Sequence, residues 1–112
     1  MLNAMFKKEP DPREITNGEA GDIYENGGAT FLDVREPDEW AEGHIPGAVH
    51  IPLGDLAQRI DELPDEGRII TICGVGKRSL VAVDILDAAG RTGSKSMSGG
   101  MIEWQQNGRA VE

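Results

Sequence analysis

The one cysteine of this 112-residue chain, Cys73, follows the apolar run Ile69-Ile70-Thr71-Ile72 and leads at once into Gly74-Val75-Gly76-Lys77-Arg78-Ser79. A thiol in that position invites nucleophilic chemistry. The thiolate is the attacking form, and it is favoured where a helix begins, because unpaired N–H groups and the positive end of the helix dipole converge there. Gly74 and Gly76 give the connecting turn the φ freedom and close backbone approach that a cradle of N–H groups demands. Lys77 and Arg78 place two cations at its mouth, so the thiol is expected to be accessible and acidic and the loop to hold a small anion. A lone cysteine is ordinarily a small buried hydrophobe. A core thiol, however, belongs inside the strand beside Ile70 and Ile72, not at its end before two glycines and two cations. Nucleotide-binding readings fail on spacing: Gly74-x-Gly76 lacks the third glycine of a dinucleotide fingerprint, and Lys77 lacks the Walker spacing.

The elements that must position this loop can be read on either side of it. Arg68 to Ile72 is the clearest strand, and Leu80, Val83, Ile85, Leu86 and Ala89 make Ser79–Ala89 a helix apolar around much of its circumference, closed by Gly90. Upstream, Thr16-Asn17-Gly18-Glu19 fits a capping box for a helix ending near Glu25, before Asn26-Gly27-Gly28. Ala29 to Val34 reads as a buried strand. Pro37 favours a short helical turn through Trp40 that Gly43 ends, and Ala48 to Ile51 reads as another short strand. Leu53, Leu56, Ile60 and Leu63 lie three, four and three apart, one face of a helix that Pro64 terminates. Ser94 to Met97 is a poor strand by composition, and Met101 to Gln106 a final short helix opened by Gly99-Gly100. Strands alternating with helices predict an α/β fold, a central mainly parallel sheet with helices on both faces. Residues 1–12 read as a loose lead-in and residues 13–112 as one domain.

Composition narrows the partners. The formal net charge is −9, which argues against nucleic acid or an anionic membrane surface as the main partner, so any anion site must be local. One cysteine allows no intrachain disulfide, and one thiol with two isolated histidines, His44 and His50, makes no metal site. No apolar stretch is long enough to span a bilayer, and Met1 to Phe6 lacks the apolar core of a signal peptide, so a cytoplasmic location is expected. Asp61, Glu62, Asp65 and Glu66 are expected on a solvated face, and Trp40 and Trp104 at the margins of the core.

Cys73-Gly74-Val75-Gly76-Lys77-Arg78-Ser79 resembles the C-x-x-G-x-R-S active-site loop of single-domain rhodaneses, the thiosulfate sulfurtransferase family. Leu32-Asp33-Val34-Arg35-Glu36 with Glu39-Trp40 and Gly43-His44-Ile45-Pro46-Gly47-Ala48 is similar to the family's first signature, and Gly99-Gly100-Met101-Ile102-Glu103-Trp104 to its GG-x-x-x-W ending. The resemblance implies a rhodanese-like fold in which Cys73 attacks the outer sulfur of thiosulfate or a similar small anionic donor and carries it as a persulfide to a thiol, cyanide or protein acceptor, without a cofactor or metal. Gly74, Val75, Gly76, Lys77 and Arg78 would bind the donor. Asp33, Arg35 and Ser79 would support the site, with Arg35 able to pair with Glu39; His44 is given no catalytic role. The six-residue loop separates this class from the related phosphatases and arsenate reductases, whose loops have seven residues. The other reading is a persulfide carrier or regulatory binding module loaded by a partner protein.

Overall fold

Among the described residues five short strands, β1 Glu14–Ile15, β2 Ala29–Asp33, β3 Val49–His50, β4 Arg68–Ile72 and β5 Lys95–Met97, lie side by side in the order β1-β5-β4-β2-β3, and every neighbouring pair is parallel. The computed structural model describes residues 10–112; residues 1–9 of the expected lead-in lie outside the described residues. Five helices, α1 Asn17–Asn26, α2 Pro37–Glu42, α3 Leu53–Leu56, α4 Arg78–Ala88 and α5 Gly100–Gln106, with a 3₁₀ turn at Ile60–Glu62, connect the strands. The α/β architecture expected from the alternation is therefore present.

Alternation along β4 divides the interior in two. Ile70 and Ile72 join Phe31, Met97, Met101 and Trp104 on the face covered by α1 and α5. Ile69 and Cys73 join Leu32, Val34, Leu56 and Leu86 on the face covered by α3 and α4. A strand buried on both faces has no solvent side to show, which explains the isoleucine-rich run before the cysteine, with Thr71 its one polar member. Each such fully buried Ile or Leu contributes about 1.5–3 kcal/mol of transfer free energy. Trp104 is wholly buried and meets Tyr24 edge-on at 5.6 Å.

The capping box at Thr16 forms as expected, with the hydroxyl accepting from Glu19 N–H and the Glu19 carboxylate accepting from Thr16 N–H. One expectation needs correction. The helix predicted over Leu53 to Leu63 is interrupted: after α3 the backbone closes short i to i−3 bonds, Arg59 N–H to Leu56 and Leu63 N–H to Ile60, and leaves the α region at Arg59 (φ −122°). The apolar spacing survives because Leu53, Leu56, Ile60 and Leu63 still face one cluster. The strand expected over Ser94 to Met97, poor by composition, forms as β5 and lies inside the sheet, between β1 and β4. β1, two residues long, has no periodic signal and was not anticipated.

Candidate active site

At the carboxyl end of β4 the chain turns through residues 73–77 and enters α4 at Arg78. Cys73 is 0% exposed, which corrects the expectation of an accessible thiol: the loop folds over it. The Cys73 Sγ accepts hydrogen bonds from Gly76 N–H at 3.1 Å and Ser79 N–H at 3.3 Å, and lies 3.4 Å from Ser79 Oγ. Lys77, the N-cap of α4, supplies no side-chain cap, so the sulfur takes up a first-turn N–H that would otherwise lack a partner. Burial pushes the Cys73 thiol up, but the Ser79 hydroxyl and the Ser79, Gly76 and Val75 N–H groups pull it down and prevail, leaving it below its ordinary value.

The loop is gripped from the opposite face by the Gly99-Gly100 turn and α5. Met101 N–H donates to Cys73 O at 2.8 Å and Ile102 N–H to Gly74 O at 3.1 Å. These contacts need glycine on both sides. A Cβ on Gly100, whose φ is +57°, would stand 2.5 Å from the carbonyl oxygens of Cys73 and Gly74, and one on Gly76, φ +95°, would stand 3.0 Å from Gly99 N. Asn17, at the start of α1 and buried, donates to Ser98 O at 3.0 Å and Gly100 O at 3.1 Å, fixing that turn in place.

On the outer side of the loop Val75 is 54% exposed and Lys77 is exposed. Arg78 is engaged: its guanidinium makes a two-pronged ion pair with Glu39 of α2, at 2.7 and 2.9 Å. That pairing holds the Glu39 carboxyl down at about 2. Arg35 does not take Glu39, as the sequence suggested. It donates instead to the Asp33 carboxylate, at 2.8 Å for the ion pair, and to Gly43 O at 2.7 Å, and both Asp33 and Arg35 are buried. Asp33 is the nearer partner because its carboxylate, at the end of β2, also accepts from Arg35 N–H and so closes a compact turn. This pair sits beside the loop, with Asp33 in register with Ile72, and props the β2–α2 corner that presents Glu39.

The structure thus brings Cys73, Gly76, Ser79 and Arg78 into one constellation, and places Asp33 and Arg35 behind it. Two clefts flank the loop. One, about 300 Å³, is lined by Arg35, Glu39, Gly74 and Ile102, and the other, about 590 Å³, by Val75, Gly76, Lys77 and Leu80. His44 stacks on Trp40 at 3.6 Å, with Nδ1 against Trp40 O at 2.9 Å, and His50 stacks on the same indole at 4.6 Å. Among the described residues no group of three His, Cys, Asp or Glu side chains is arranged to hold a metal ion. Glu39 and Ser96 escaped the sequence reading as site residues. Glu39 stood within the first signature as a partner for the wrong arginine, while Ser96 carried no signal beyond being polar in a strand.

A thiol held by converging N–H groups at a strand-to-helix turn, with glycine contacts from α5, defines an α/β domain with a cysteine loop at the carboxyl end of its parallel sheet. The chain belongs to the rhodanese-like domain family, whose sequence pattern it matches over residues 16–107. It is 30% identical over 99 residues to the thiosulfate sulfurtransferase GlpE of Actinobacillus pleuropneumoniae serotype 3, covering 88% of this chain and 92% of that one. It is 41% identical over 74 residues to YrkF of Bacillus subtilis (strain 168), provisionally named a sulfur carrier protein, covering 66% of this chain and 40% of that one. Among solved structures, a rhodanese-related protein from Thermoplasma volcanium superposes with a TM-score of 0.79 at 33% identity, over 89% of this chain and 97% of that one. The chain spans less than half the length of the first curated relatives it matches, 44% and 40%.

Proposed function

We propose that the protein is a sulfurtransferase that moves the sulfane sulfur of thiosulfate, or a similar donor, through a persulfide on Cys73. The observation that carries this reading is the sulfur itself, held at the start of α4 by Gly76 N–H, Ser79 N–H and the Ser79 hydroxyl. The Cys73 thiolate attacks the outer sulfur of thiosulfate. An Sγ–S bond forms as the donor's S–S bond breaks, and the electron pair of the broken bond leaves with sulfite. No proton need move, and the charge, one on the thiolate and two on thiosulfate, is conserved in persulfide and sulfite. An acceptor nucleophile then takes the outer sulfur and expels Cys73 as thiolate. The same N–H groups serve both halves, since Sγ is anionic at the start of the first and again at the end of the second.

Thiosulfate treatment of reduced protein should add one sulfur, roughly 32 Da, per chain. A thiol reductant should remove it, and Cys73→Ser should gain nothing. Unchanged mass in fresh, reduced protein overturns the reading.

A second reading, a persulfide carrier loaded by a partner protein, is favoured by one feature of the rim. With Arg78 committed to Glu39, Lys77 stands as the exposed cation of the loop, while Val75 presents apolar surface beside it and Ile102 does so at the other flank of the loop. A carrier should load stoichiometrically from a persulfidated protein but turn over thiosulfate and cyanide poorly, and steady-state kinetics with both donors separates the two.

A further inference from the structure

Ser96 lies in β5, in register with Thr71 of β4 and Glu14 of β1, and is wholly buried. Its hydroxyl oxygen is 2.7 Å from Ser79 Oγ, which is itself 3.4 Å from the Cys73 sulfur. Three polar atoms therefore follow one another by hydrogen-bond contact from the interior of the sheet to the reacting atom, all closed off from water. The middle residue is further fixed by Thr71 Oγ1, which donates to Ser79 O at 2.8 Å.

The proton count gives this line a direction. Each serine hydroxyl has one proton to donate. If Ser79 donates to the sulfur, Ser96 donates to Ser79, and both protons have acceptors. If a Cys73 S–H instead donates to Ser79 and Ser79 turns inward, the Ser96 proton is left without an acceptor, since Ser79 Oγ is its hydrogen-bond partner among the described residues. A buried donor without a partner is costly, so the filled arrangement is the one that aims a proton at an anionic sulfur.

We propose that Ser96 is a positioning residue for the sulfur chemistry: by donating to Ser79 Oγ it turns the Ser79 hydroxyl toward Cys73 and holds that donor in place for the thiolate. The inference rests on the reading of Cys73 as the nucleophile and extends it to both half-reactions. The thiolate that attacks the donor and the thiolate expelled by the acceptor need the same proton aimed at them, whereas the intervening persulfide carries its charge on the outer sulfur. The Arg78 guanidinium is already paired with Glu39, so the serine line is a neutral contribution separate from the loop's cations.

The test compares Ser96→Ala, Ser96→Thr and Ser79→Ala, each checked for folding by circular dichroism, by titrating the thiolate through its ultraviolet absorbance and by following sulfur loading from thiosulfate by mass. Ser96→Ala should raise the thiolate midpoint and cut the thiolate fraction near pH 7 roughly three- to tenfold, with loading slowed in proportion there and restored at alkaline pH. Ser96→Thr, which keeps the hydroxyl, should titrate as the wild type. Adding Ser96→Ala to Ser79→Ala should bring no further change, because the line is already cut. An unaltered midpoint in Ser96→Ala beside a raised one in Ser79→Ala overturns the proposal, as does a folded Ser96→Thr that titrates like the alanine variant. If the midpoints move as expected but thiosulfate loads no variant, including wild type, the serine line stands and the thiosulfate reading falls.

Discussion

Beneath the Cys73 sulfur lie backbone N–H groups, Ser79 and Ser96, all neutral and all buried; on the outer side of the same loop lie Lys77, the Arg78–Glu39 pair and the exposed side chain of Val75. Both regions belong to one short stretch of chain, yet they act through different physics. Fixed dipoles in a water-excluded site act at full strength and need no reorganisation when charge appears. Charges at a rim are screened by solvent and salt, and one of the two cations there already has its counterion. On this account the acidity of the thiol belongs to the floor, and the choice of donor belongs to the rim. Changes to the floor should move the thiol's titration with little dependence on salt, and changes to the rim should move substrate affinity with strong dependence on it.

The largest effect is expected where the floor is anchored. Gly100→Ala drives a Cβ into the carbonyls of Cys73 and Gly74, and should cost about 2–4 kcal/mol of stability by denaturant titration while disabling sulfur loading. Gly54→Ala in α3, with open space around it, should leave stability unchanged or slightly raised. Next comes Ser79→Ala, which removes a hydroxyl that bonds the charged sulfur. The thiolate fraction near pH 7 should fall on the order of ten- to a hundredfold, a change read by thiolate absorbance and unaffected by salt.

At the rim, Glu39→Gln should cost roughly 0.5–1 kcal/mol, since the pair is partly exposed. Its signature lies in pH. The Glu39 carboxyl is lowered to about 2 in the folded protein, so the unfolded chain takes up a proton first as pH falls. The pair's contribution is complete above about pH 4.5 and is lost as pH drops toward about 2, and a denaturation series across that interval should lose this part of its slope in the variant. The smallest effect should come from Lys77→Ala, a roughly 1.5- to 5-fold rise in KM for thiosulfate that disappears at high salt, with the thiol's titration unmoved. A shift of the thiolate midpoint in that variant would erase the distinction between floor and rim.

What the sequence revealed follows the same division. The loop was legible because its cues are local: a strand ending in cysteine, two glycines, and a buried helix starting at once. The central strand and the capped first helix were legible for the same reason. The choice of partner for Arg35 and Arg78 was not, because Asp33, Glu36 and Glu39 all stand within a few residues and only the tertiary arrangement sends Arg35 to Asp33 and Arg78 across to Glu39. Ser96 was hidden for a related reason. A serine between Lys95 and Met97 reads as a weak strand or a loop until its neighbour across the sheet places Ser79 against it. The break after α3 was masked because spacings of three and four suit an α-helix and a pair of tight turns alike.

The claim that neutral dipoles make Cys73 a thiolate is tested most directly by titrating the wild-type thiol, through its ultraviolet absorbance, at low and high ionic strength. The account predicts a midpoint below the ordinary cysteine value of about 8.5 that salt leaves in place. A midpoint at or above about 8.5, or one that climbs to that value as salt is added, would contradict it, the second result by assigning the acidity to the cations of the rim.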